Sequence, residues 1–579
     1  MAQKPKWVKD FFVGIDYGTT KSAIATVERG GAPELLNIDP NYSGSSIPSV
    51  VKLSLPEGEH PSPKFNIADI GYWAKYASSD ADDTSCVFEQ AKLHIGKGVF
   101  KAHDSIRKPF DTVAPEEIAA IIIRYLKQAA EKTPMMDGST SLSQLQSATI
   151  TVPANWDPVR REATKYAAML AGFDNIELID EPVAALLHVW KNQKVRLGLG
   201  KTNEKIMVID FGGGTCDIAV VRLRNRPTIQ FWAKENVQII LSRGNNHLGG
   251  ELINQMIEEK FLSDDIEDST HLLLGERKKR TESLKIRINE TMSSQAMKFI
   301  ENIPQRERNL LKGWRDFLPK EFEGAEYLGG TKWGLSANKF HSMLSEELRT
   351  EIGRGTQSRP FIQAFIDLIN SVLQDCGGSD SFERVVLVGG SSYLYFVIPV
   401  LYSIFKGLEW RTTLYRPDWP EKCIALGAAS HEIDRKNGRR SFEPRFFYSV
   451  DISTAAQPIQ LIKADTKLPI PFRKTTSIPF NVNEETNELV IRMQGLGLES
   501  TQDDLNIVKT LTPMGGRIIP NSDMFTAAAH VSVDGIVSLK VVEKDRRIIL
   551  APSEKYSLSR SELPKARQEF RKKYIDVNQ

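Results

Sequence analysis

Two short segments of the sequence share one order of residue types: apolar residues, aspartate, an aromatic residue, glycine and threonine. Residues 15–20 are IDYGTT and residues 209–215 are IDFGGGT. Because glycine has no Cβ, backbone N–H groups in such loops can approach an oxyanion, and threonine hydroxyls add donors. An aspartate at each strand end can hold Mg²⁺ through water. The two segments together predict two loops that bind a nucleoside triphosphate from opposite sides. The alternative is that they are two unrelated glycine-rich turns.

A third glycine-rich segment, GGSS at residues 389–392, also follows an apolar run, Val385–Val388. Three such loops in one chain make unrelated turns a weaker explanation for the set. The two aspartate-containing copies also indicate an internal duplication.

The elements that must position these loops alternate between strand-like and helical patterns over residues 11–434, which is typical of an α/β protein. Pro115 and the two glutamates after it predict the start of a helix. A helix is also predicted from Pro158 to Ala171, with Gly172 ending it. Short apolar runs predict strands at 11–15, 22–27, 148–152, 176–179, 206–209 and 385–388.

The composition changes after about residue 434. Residues 435–440 are polar and basic, and the region beyond them is rich in proline and strand-like patterns. Residues 531–541 alternate around Asp534-Gly535, which predicts a β-hairpin. We therefore predict a nucleotide-binding domain at 11–434, a linker at 435–444 and a β-rich domain with a short C-terminal helix at 445–579.

Composition argues against several classes of protein. The chain has 579 residues, with 75 basic and 73 acidic side chains and a formal net charge of +2. Such a chain has no overall field that attracts nucleic acid or anionic lipid, so we expect neither nucleic acid nor membrane as a partner.

Four scattered cysteines without a CxxC pair argue against disulfides and a cysteine zinc site. Without a secretory pattern at the start, we expect a cytoplasmic protein, with a nuclear pool left open.

Two segments imitate motifs of other kinds. The uncharged stretch Val385–Phe405 is long enough to cross a membrane, but its glycines and Pro399 favour a strand, a turn and a buried helix. Residues 198–202, GLGKT, end like a P-loop, yet Val195 stands where that motif requires its first glycine. We interpret the second segment as a loop.

The loops resemble those of a known family, the heat-shock protein 70 (Hsp70) chaperones. Five segments resemble Hsp70 motifs and follow the family's order, namely VGIDYGTT at 13–20, IDEPVAA at 179–185, DFGGGTCD at 210–217, VLVGGSS at 386–392 and ALGAA at 425–429. The resemblance covers about residues 11–434. It implies the actin-like ATPase fold of two duplicated α/β lobes around a nucleotide cleft, followed by a smaller β-rich domain, with ATP or ADP and Mg²⁺ as cofactors.

The resemblance also implies roles for single residues. Asp16 and Asp210 would hold the hydrated Mg²⁺, with Asp217 supporting its shell. Lys92 would neutralise charge at the γ-phosphate, and Glu181 would position or deprotonate the attacking water; Lys92, Glu181 and Asp210 are the predicted catalytic residues. The predicted nucleotide contacts are Gly18, Thr19, Thr20, Gly212, Gly213, Gly214, Thr215, Gly249, Gly250, Glu276, Lys279, Arg280, Ser283, Gly389, Gly390, Ser391, Tyr393 and Asp418.

Three of these assignments have a simpler alternative. Lys92 alone would be interpreted as a solvated surface lysine. Glu181 beside Pro182 suits the first turn of a helix, where a carboxylate is favoured in any case. Glu276, Lys279, Arg280 and Ser283 share one helix face by their spacing, which is also the pattern of a charged outer face.

The chain departs from the family pattern in ways that indicate a divergent, lid-less member. Tyr393 stands where the family has an arginine that stacks on adenine; an aromatic ring can also stack, but the cation is lost. The residues after Leu550 are too few for the family's long helical lid. The basic linker also replaces an apolar and acidic one.

These features favour an ATP-binding chaperone of the Hsp70 type, which hydrolyses ATP slowly and closes its lobes with the nucleotide state. Its expected partners are unfolded or client polypeptides and co-chaperones. One alternative is a nucleotide sensor with little or no hydrolysis, whose β-rich domain docks a partner. A second is a sugar-kinase-like phosphotransferase, for which the sequence shows no acceptor-site motif.

Overall fold

The fold is described here from a computed structural model. It describes residues 11–28, 31–38, 45–57, 64–76, 84–98, 100, 108–132, 145–193, 203–223, 237–245, 247–264, 274–308, 310–347, 359–405, 414–417, 419–438, 442, 445–446, 448–453, 458–464, 466–471, 478–480, 488–495, 505–510, 525–543, 546–550, 556 and 561–576. The GLGKT segment and Asp418 lie outside these residues.

Residues 11–193 form lobe I, which has two sheets. Its strands are β1 Phe11–Tyr17, β2 Lys21–Glu28, β3 Glu34–Leu35, β4 Ser46–Pro48, β5 Val51–Ser54, β6 Phe65–Ile70, β7 Ser85–Phe88, β8 Ser147–Val152 and β9 Asn175–Asp180. Its helices are α1 Tyr72–Tyr76, α2 Ala91–His94, α3 Pro115–Lys132, α4 Pro158–Leu170 and α5 Glu181–Gln193. The main sheet has the order β3-β2-β1-β8-β9, and β5, β6 and β7 belong to the second sheet.

Residues 203–436 form lobe II and the helix that follows it. The strands are β10 Glu204–Phe211, β11 Cys216–Leu223, β12 Val237–Asn245, β13 Ala325–Tyr327, β14 Gly334–Ser336, β15 Arg384–Val388 and β16 Leu414–Tyr415. The helices are α6 Gly250–Asp264, α7 Leu274–Asn302, α8 Gln305–Arg308, α9 Ala337–Ser345, α10 Phe361–Cys376, α11 Val397–Ile404 and α12 Cys423–Lys436. The main sheet has the order β12-β11-β10-β15-β16.

The two main sheets have the same topology. In lobe I, β1 pairs with β2 antiparallel and with β8 parallel. In lobe II, β10 pairs with β11 antiparallel and with β15 parallel. The duplication predicted from the repeated loops is therefore present in the fold.

Two helices join the lobes by crossing between them. Helix α5 leaves lobe I and packs its apolar side on the β10–β11 sheet of lobe II, whereas α12 leaves lobe II and packs on β1 and β2. The helices cross so closely that a Cβ at Gly427 would lie 1.7 Å from the carbonyl oxygen of Ala184. Glycine is needed at this crossing because no larger residue fits.

The sequence predictions for the local elements agree with these bounds. Helix α3 begins at Pro115 and α4 at Pro158, and Gly172 after α4 has φ of +104°. The stretch 385–405 contains β15, a single 3₁₀ turn at Gly390–Tyr393 and the buried helix α11. Among the described residues, no helix is long and apolar enough to cross a membrane.

The β-rich region contains two four-stranded sheets. Its strands are β17 Arg445–Phe446, β18 Tyr448–Ser453, β19 Pro458–Ile462, β20 Thr466–Lys467, β21 Ile478–Phe480, β22 Glu488–Gly495, β23 Leu505–Thr510, β24 Phe525–Val531, β25 Val537–Glu543 and β26 Arg546–Leu550. The sheets have the orders β19-β18-β22-β23 and β21-β24-β25-β26, and a common apolar core lies between them. The Asp534-Gly535 turn joins β24 to β25, as its sequence predicts.

The end of the chain returns to lobe I. Helix α13 (Leu563–Lys573) is followed by β27 (Tyr574–Asp576), which pairs in parallel with β6. Phe570 and Tyr574 are buried in the apolar core of lobe I, as is Tyr556 further upstream. The C-terminal helix therefore packs on lobe I, not on the β-rich region that precedes it in sequence.

Candidate functional site

The two glycine loops face each other across the cleft. The first connects β1 to β2 after Asp16, and the second connects β10 to β11 after Asp210. A Cβ at Gly213 would lie 1.9 Å from the Thr20 hydroxyl oxygen, and one at Gly214 would lie 2.5 Å from the Thr19 methyl carbon. The lobes are therefore in direct contact at residues that the sequence assigns to phosphate binding.

The second loop is held from behind by two further glycine segments. The backbone N–H groups of Gly250 and Glu251 donate to the carbonyl oxygens of Gly212 and Gly213, at 3.3 and 2.7 Å. The Ser391 hydroxyl donates to the Gly212 carbonyl at 2.6 Å. Gly249 packs against the Gly213 backbone, where a Cβ would lie 2.3 Å from its carbonyl oxygen. The Gly249-Gly250 and Gly389–Ser391 segments thus support the second loop directly.

The first loop is held by the strand pair beside it. The Ser49 hydroxyl donates to the Gly18 carbonyl at 2.7 Å, and Thr151 on β8 donates to Asp16 at 3.0 Å. Asp16 lies near the end of β1 and Asp210 near the end of β10, which are equivalent positions in the two lobes. The duplicated topology therefore brings two carboxylates to the same cleft.

Buried charges gather beneath the loops. Asp16, Asp210, Asp217, Glu181 and Lys92 are each less than a tenth exposed. The Lys92 ammonium forms an ion pair with Glu181, although 89 positions separate the two residues in sequence. Three more carboxylates thus lie around one ion pair, in a region where burial makes every charge costly.

This clustering changes the acidities of its members. Burial and the nearby Glu181 raise the pKa of Asp16 and of Asp217 to about 7. Burial, Glu181, Asp217 and Asp16 raise the pKa of Asp210 well above its ordinary value. Burial alone would lower the pKa of Lys92, but Glu181 and Asp16 raise it, so the lysine stays charged.

The cluster fits a hydrated divalent cation. Both carboxylate oxygens of Asp217 are buried without a well-formed hydrogen bond from the described residues. Within the same part of the chain, no three His, Cys, Asp or Glu side chains converge for direct metal ligation. A cation held through water by Asp16, Asp210 and Asp217 would offset the repulsion among these carboxylates.

The predicted adenosine residues lie along α7. Arg280 hydrogen-bonds to the Gly329 carbonyl and pairs with Glu276 one turn earlier. Lys279 lies over the Tyr76 ring of lobe I, 5.7 Å from its centroid, and the Ser283 hydroxyl donates to the Lys279 carbonyl. Glu276 and Lys279 are exposed at this face. The four residues share one helix side, as their spacing predicts.

The Tyr393 ring is in contact with the guanidinium of Arg416, a residue for which there was no prediction from the sequence. The Arg416 guanidinium lies 4.2 Å from the centroid of the Tyr393 ring and donates to the Ser392 carbonyl at 3.0 Å. Asn289 and Ser293 on α7 hold the Tyr393 carbonyl at 3.1 and 3.2 Å. Tyr393 is 38% exposed, so the Tyr393–Arg416 pair presents a stacking surface beside α7.

Other polar groups at the site also lack a sequence signal. Lys285 on α7 donates to the Gly250 carbonyl at 3.0 Å, and burial lowers its pKa. The Lys92 ammonium lies 5.7 Å from the Trp156 ring centroid. Neither Lys285 nor Trp156 belongs to a glycine loop, and only the fold brings these two residues to the neighbourhood of the site.

Comparison with known proteins agrees with this geometry. Residues 69–304 match the family described as Hsp70 protein. The chain is also 31% identical over 297 residues to the chaperone protein DnaK of Metamycoplasma hominis. Over residues 69–304 the chain is thus similar to Hsp70 proteins. The match to DnaK covers 49% of this chain and 42% of DnaK, so it spans less than half of that relative's length.

The similarity to the Hsp70 family agrees with the architecture. The two lobes of like topology, with glycine loops opposed across a cleft, are the actin-like ATPase fold that the sequence predicts. The match to the family reaches from β6 through α7 and so includes Lys92, Glu181 and the second glycine loop. The predicted actin-like ATPase fold is thus confirmed, and the predicted resemblance to the Hsp70 family is borne out over residues 69–304.

Proposed function

We propose that this protein is an ATP-binding, chaperone-like Hsp70 protein that hydrolyses ATP slowly. The observation that carries the proposal is the opposition of the two glycine loops above a buried carboxylate cluster. The contact of Thr20 with Gly213 supports it most directly. A nucleotide triphosphate would be bound from both lobes at once.

Each residue has a proposed part in the reaction. Thr19, Thr20 and the N–H groups of residues 212–215 bind and orient the phosphates. Lys92 stabilises charge that develops at the γ-phosphate, and Glu181 orients the attacking water and accepts its proton. Asp16, Asp210 and Asp217 would hold Mg²⁺, which supplies charge neutralisation at the phosphates. Buried side chains around Lys92 exclude bulk water, which strengthens these interactions.

We propose that the base and ribose lie between α7 and the 389–393 turn. Glu276, Lys279, Arg280 and Ser283 would line one side, and Gly389, Gly390, Ser391 and Tyr393 the other. Asp418, outside the described residues, remains a proposed contact from its sequence position alone. Stacking on Tyr393 would replace the guanidinium that the family uses at this position.

We further propose that the β-rich region binds client polypeptides and senses the nucleotide through its contacts with lobe I. Buried Asp534, at the turn between β24 and β25, accepts from the backbone N–H of Leu178 and pairs with Lys165. Leu178 lies three residues before Glu181. The Tyr448 hydroxyl also donates to the Asn155 carbonyl at 2.9 Å. These contacts support a path from the cleft to the β-rich region.

The domain division that we propose follows the sequence prediction, with residues 11–434, 435–444 and 445–579 as nucleotide-binding domain, linker and β-rich domain. Limited proteolysis tests it: cleavage is expected first at residues 435–444. Two fragments that each stay folded, and that remain associated through α13 and β27 on lobe I, would support the division. Initial cleavage inside either domain would contradict it.

Measurement of ATP turnover with and without an unfolded peptide tests the function. We expect Mg-ATP to bind, ADP and phosphate to form slowly, and the peptide to change the rate. No binding of ATP at millimolar concentration by calorimetry would refute the proposal as a whole. Phosphorylation of a sugar in a screen with labelled ATP would favour the kinase alternative.

A specific observation favours a second candidate, a nucleotide sensor without hydrolysis. Glu181 is engaged by Lys92, so it is not free to act on water in this arrangement. The sensor would bind ATP and release it unchanged, with the β-rich region docked to a partner. ATP binding without phosphate release, under conditions where the peptide still binds, would select this candidate over the first.

A further inference from the structure

The C-terminal segment, which comprises Tyr556 and residues 561–576, contacts two carboxylates in the first turn of α3. The buried hydroxyl of Tyr556 donates to Glu116 Oε1 at 2.9 Å. The Tyr574 hydroxyl and the Lys573 ammonium both bind Glu117, each at 2.8 Å from Oε2. Glu116 and Glu117, which are neighbours on α3, thus bind different residues of the C-terminal segment.

Glu116 connects Tyr556 to the turn that follows Lys92. The same oxygen, Oε1, accepts a hydrogen bond from the backbone N–H of Gly96 at 2.9 Å. Glu116 is fully buried, so no water can replace either donor without cost. One carboxylate oxygen therefore joins the C-terminal segment to the polypeptide four residues beyond Lys92.

The placement of Lys92 depends on this turn. Helix α2 has only four residues, Ala91–His94, which is far too short to be stable by itself. Gly96 follows it with φ of +78° and packs against Arg160 of α4. Because the helix cannot hold its own geometry, the hydrogen bond at Gly96 is one of the contacts that determines where Lys92 lies.

Glu116 thus accepts hydrogen bonds both from Tyr556 of the C-terminal segment and from the turn that follows Lys92. We propose that the C-terminal segment, through Tyr556 and Glu116, positions Lys92 for the reaction, with Tyr556 and Glu116 as positioning residues.

The other contacts of the segment hold it in place without reaching Lys92. Strand β27 extends the second sheet of lobe I beside β6, and Arg567 binds the Met169 and Phe173 carbonyls at the end of α4. Tyr574 binds Glu117, which caps the Ala114 N–H and makes no described bond to the Gly96 turn. Tyr574 therefore provides a matched control for Tyr556, because each loses one hydroxyl bond to α3.

The experiment compares Tyr556→Phe with Tyr574→Phe in the full chain. It rests on the proposed ATP hydrolysis for its kinetic part. We expect Tyr556→Phe to lower kcat about threefold to tenfold with unchanged ATP affinity, since the loss of one hydrogen bond shifts Lys92 without removing a phosphate contact. We expect Tyr574→Phe to leave kcat at the wild-type value. Glu116→Gln, which keeps an acceptor oxygen, should lose less activity than Glu116→Ala.

Amide hydrogen exchange provides a readout that does not need activity. In Tyr556→Phe the peptide spanning residues 91–98 should exchange faster than in the wild type or in Tyr574→Phe. Equal exchange of this peptide in all three proteins would overturn the inference, as would equal kcat in an active enzyme. Absence of hydrolysis in the wild type would refute the proposed function alone, because the exchange comparison would still decide the positioning role.

Discussion

Thr20 and Gly213 are in contact across the cleft, so closely that a Cβ at Gly213 would lie 1.9 Å from the Thr20 hydroxyl oxygen. The two residues come from equivalent loops of the duplicated lobes, 193 positions apart in sequence. A phosphate group bound by both loops would lie where the lobes already meet. Opening of the lobes would therefore separate the two halves of the site.

The contact predicts the effect of a methyl group at Gly213. In Gly213→Ala the new Cβ forces Thr20 or the whole of lobe I to move, and overpacking of this kind costs about 1–3 kcal/mol. We expect ATP affinity to fall about tenfold or more, measured by calorimetry. Gly329→Ala is the control, since no atom lies within 4 Å of a Cβ there. Equal affinity of the two variants would show that the loops do not meet in solution.

The ion pair of Lys92 with Glu181 predicts a loss of catalysis without a loss of the fold. Glu181→Gln removes the proton acceptor but also relieves its repulsion of Asp16 and Asp217. We expect phosphate release to fall about 100-fold or more, with ATP still bound and the melting temperature nearly unchanged. Lys92→Ala should lower phosphate release similarly. Wild-type turnover in either variant would remove these residues from the mechanism.

The Tyr393–Arg416 pair predicts that loss of Arg416 weakens the binding of the adenine base and leaves the binding of the phosphates unchanged. If the stacked pair supports adenine, Arg416→Ala should weaken ADP binding about threefold to thirtyfold, because cation–π contacts contribute about 0.5–2 kcal/mol. Binding of pyrophosphate, which has no base, should not change. Titration calorimetry with both ligands compares the two effects. An equal loss for both ligands would mean that Arg416 acts on the loop and not on the base.

A salt bridge between the lobes predicts the rate of nucleotide release. Lys75 on α1 of lobe I pairs with Glu282 on α7 of lobe II at 2.5 Å. Glu282→Gln should speed the release of a fluorescent ADP about threefold to tenfold, since removing one partner leaves a largely buried charge unpaired. Glu347→Gln, which breaks the Lys260–Glu347 pair within lobe II, should not change the rate.

The pH dependence of this release follows from the same pair. Burial alone would raise the pKa of Glu282, but Lys75, Lys21 and Lys285 lower it to about 2. The lowered pKa means that the bridge contributes fully above the ordinary value of 4.5 and is lost as the pH falls towards 2. The release rate due to this bridge should therefore be constant from about pH 6 to 9. A difference in rate between the wild type and Glu282→Gln that changes across that range would contradict the role of the bridge.

Much of the local structure was predictable from the sequence. The starts of α3 and α4 at Pro115 and Pro158, the hairpin turn at Asp534-Gly535 and the two glycine loops each depend on neighbouring residues and on their backbone preferences. The repeated loop also predicted the duplicated sheet topology. Short-range patterns carry this information because capping, turn geometry and strand alternation act over a few residues.

The contacts between distant segments were not predictable in the same way. The resemblance to Hsp70 pointed to Lys92 and Glu181 separately, but their ion pair, the Arg416 guanidinium on Tyr393 and the return of Tyr556 to Glu116 have no sequence pattern. A buried tyrosine or a charged helix face indicates that a residue has a partner, without saying which one.

The sequence by itself therefore determined the type of site: glycine loops for phosphate, aspartates for a cation and a duplicated α/β framework to oppose them. The tertiary structure alone decided which charges meet, what covers the Tyr393 ring, and that the C-terminal segment packs on lobe I beside the Lys92 turn. The physical reason is that loop and turn preferences are local, whereas burial and ion pairing depend on segments brought together only by the folded chain.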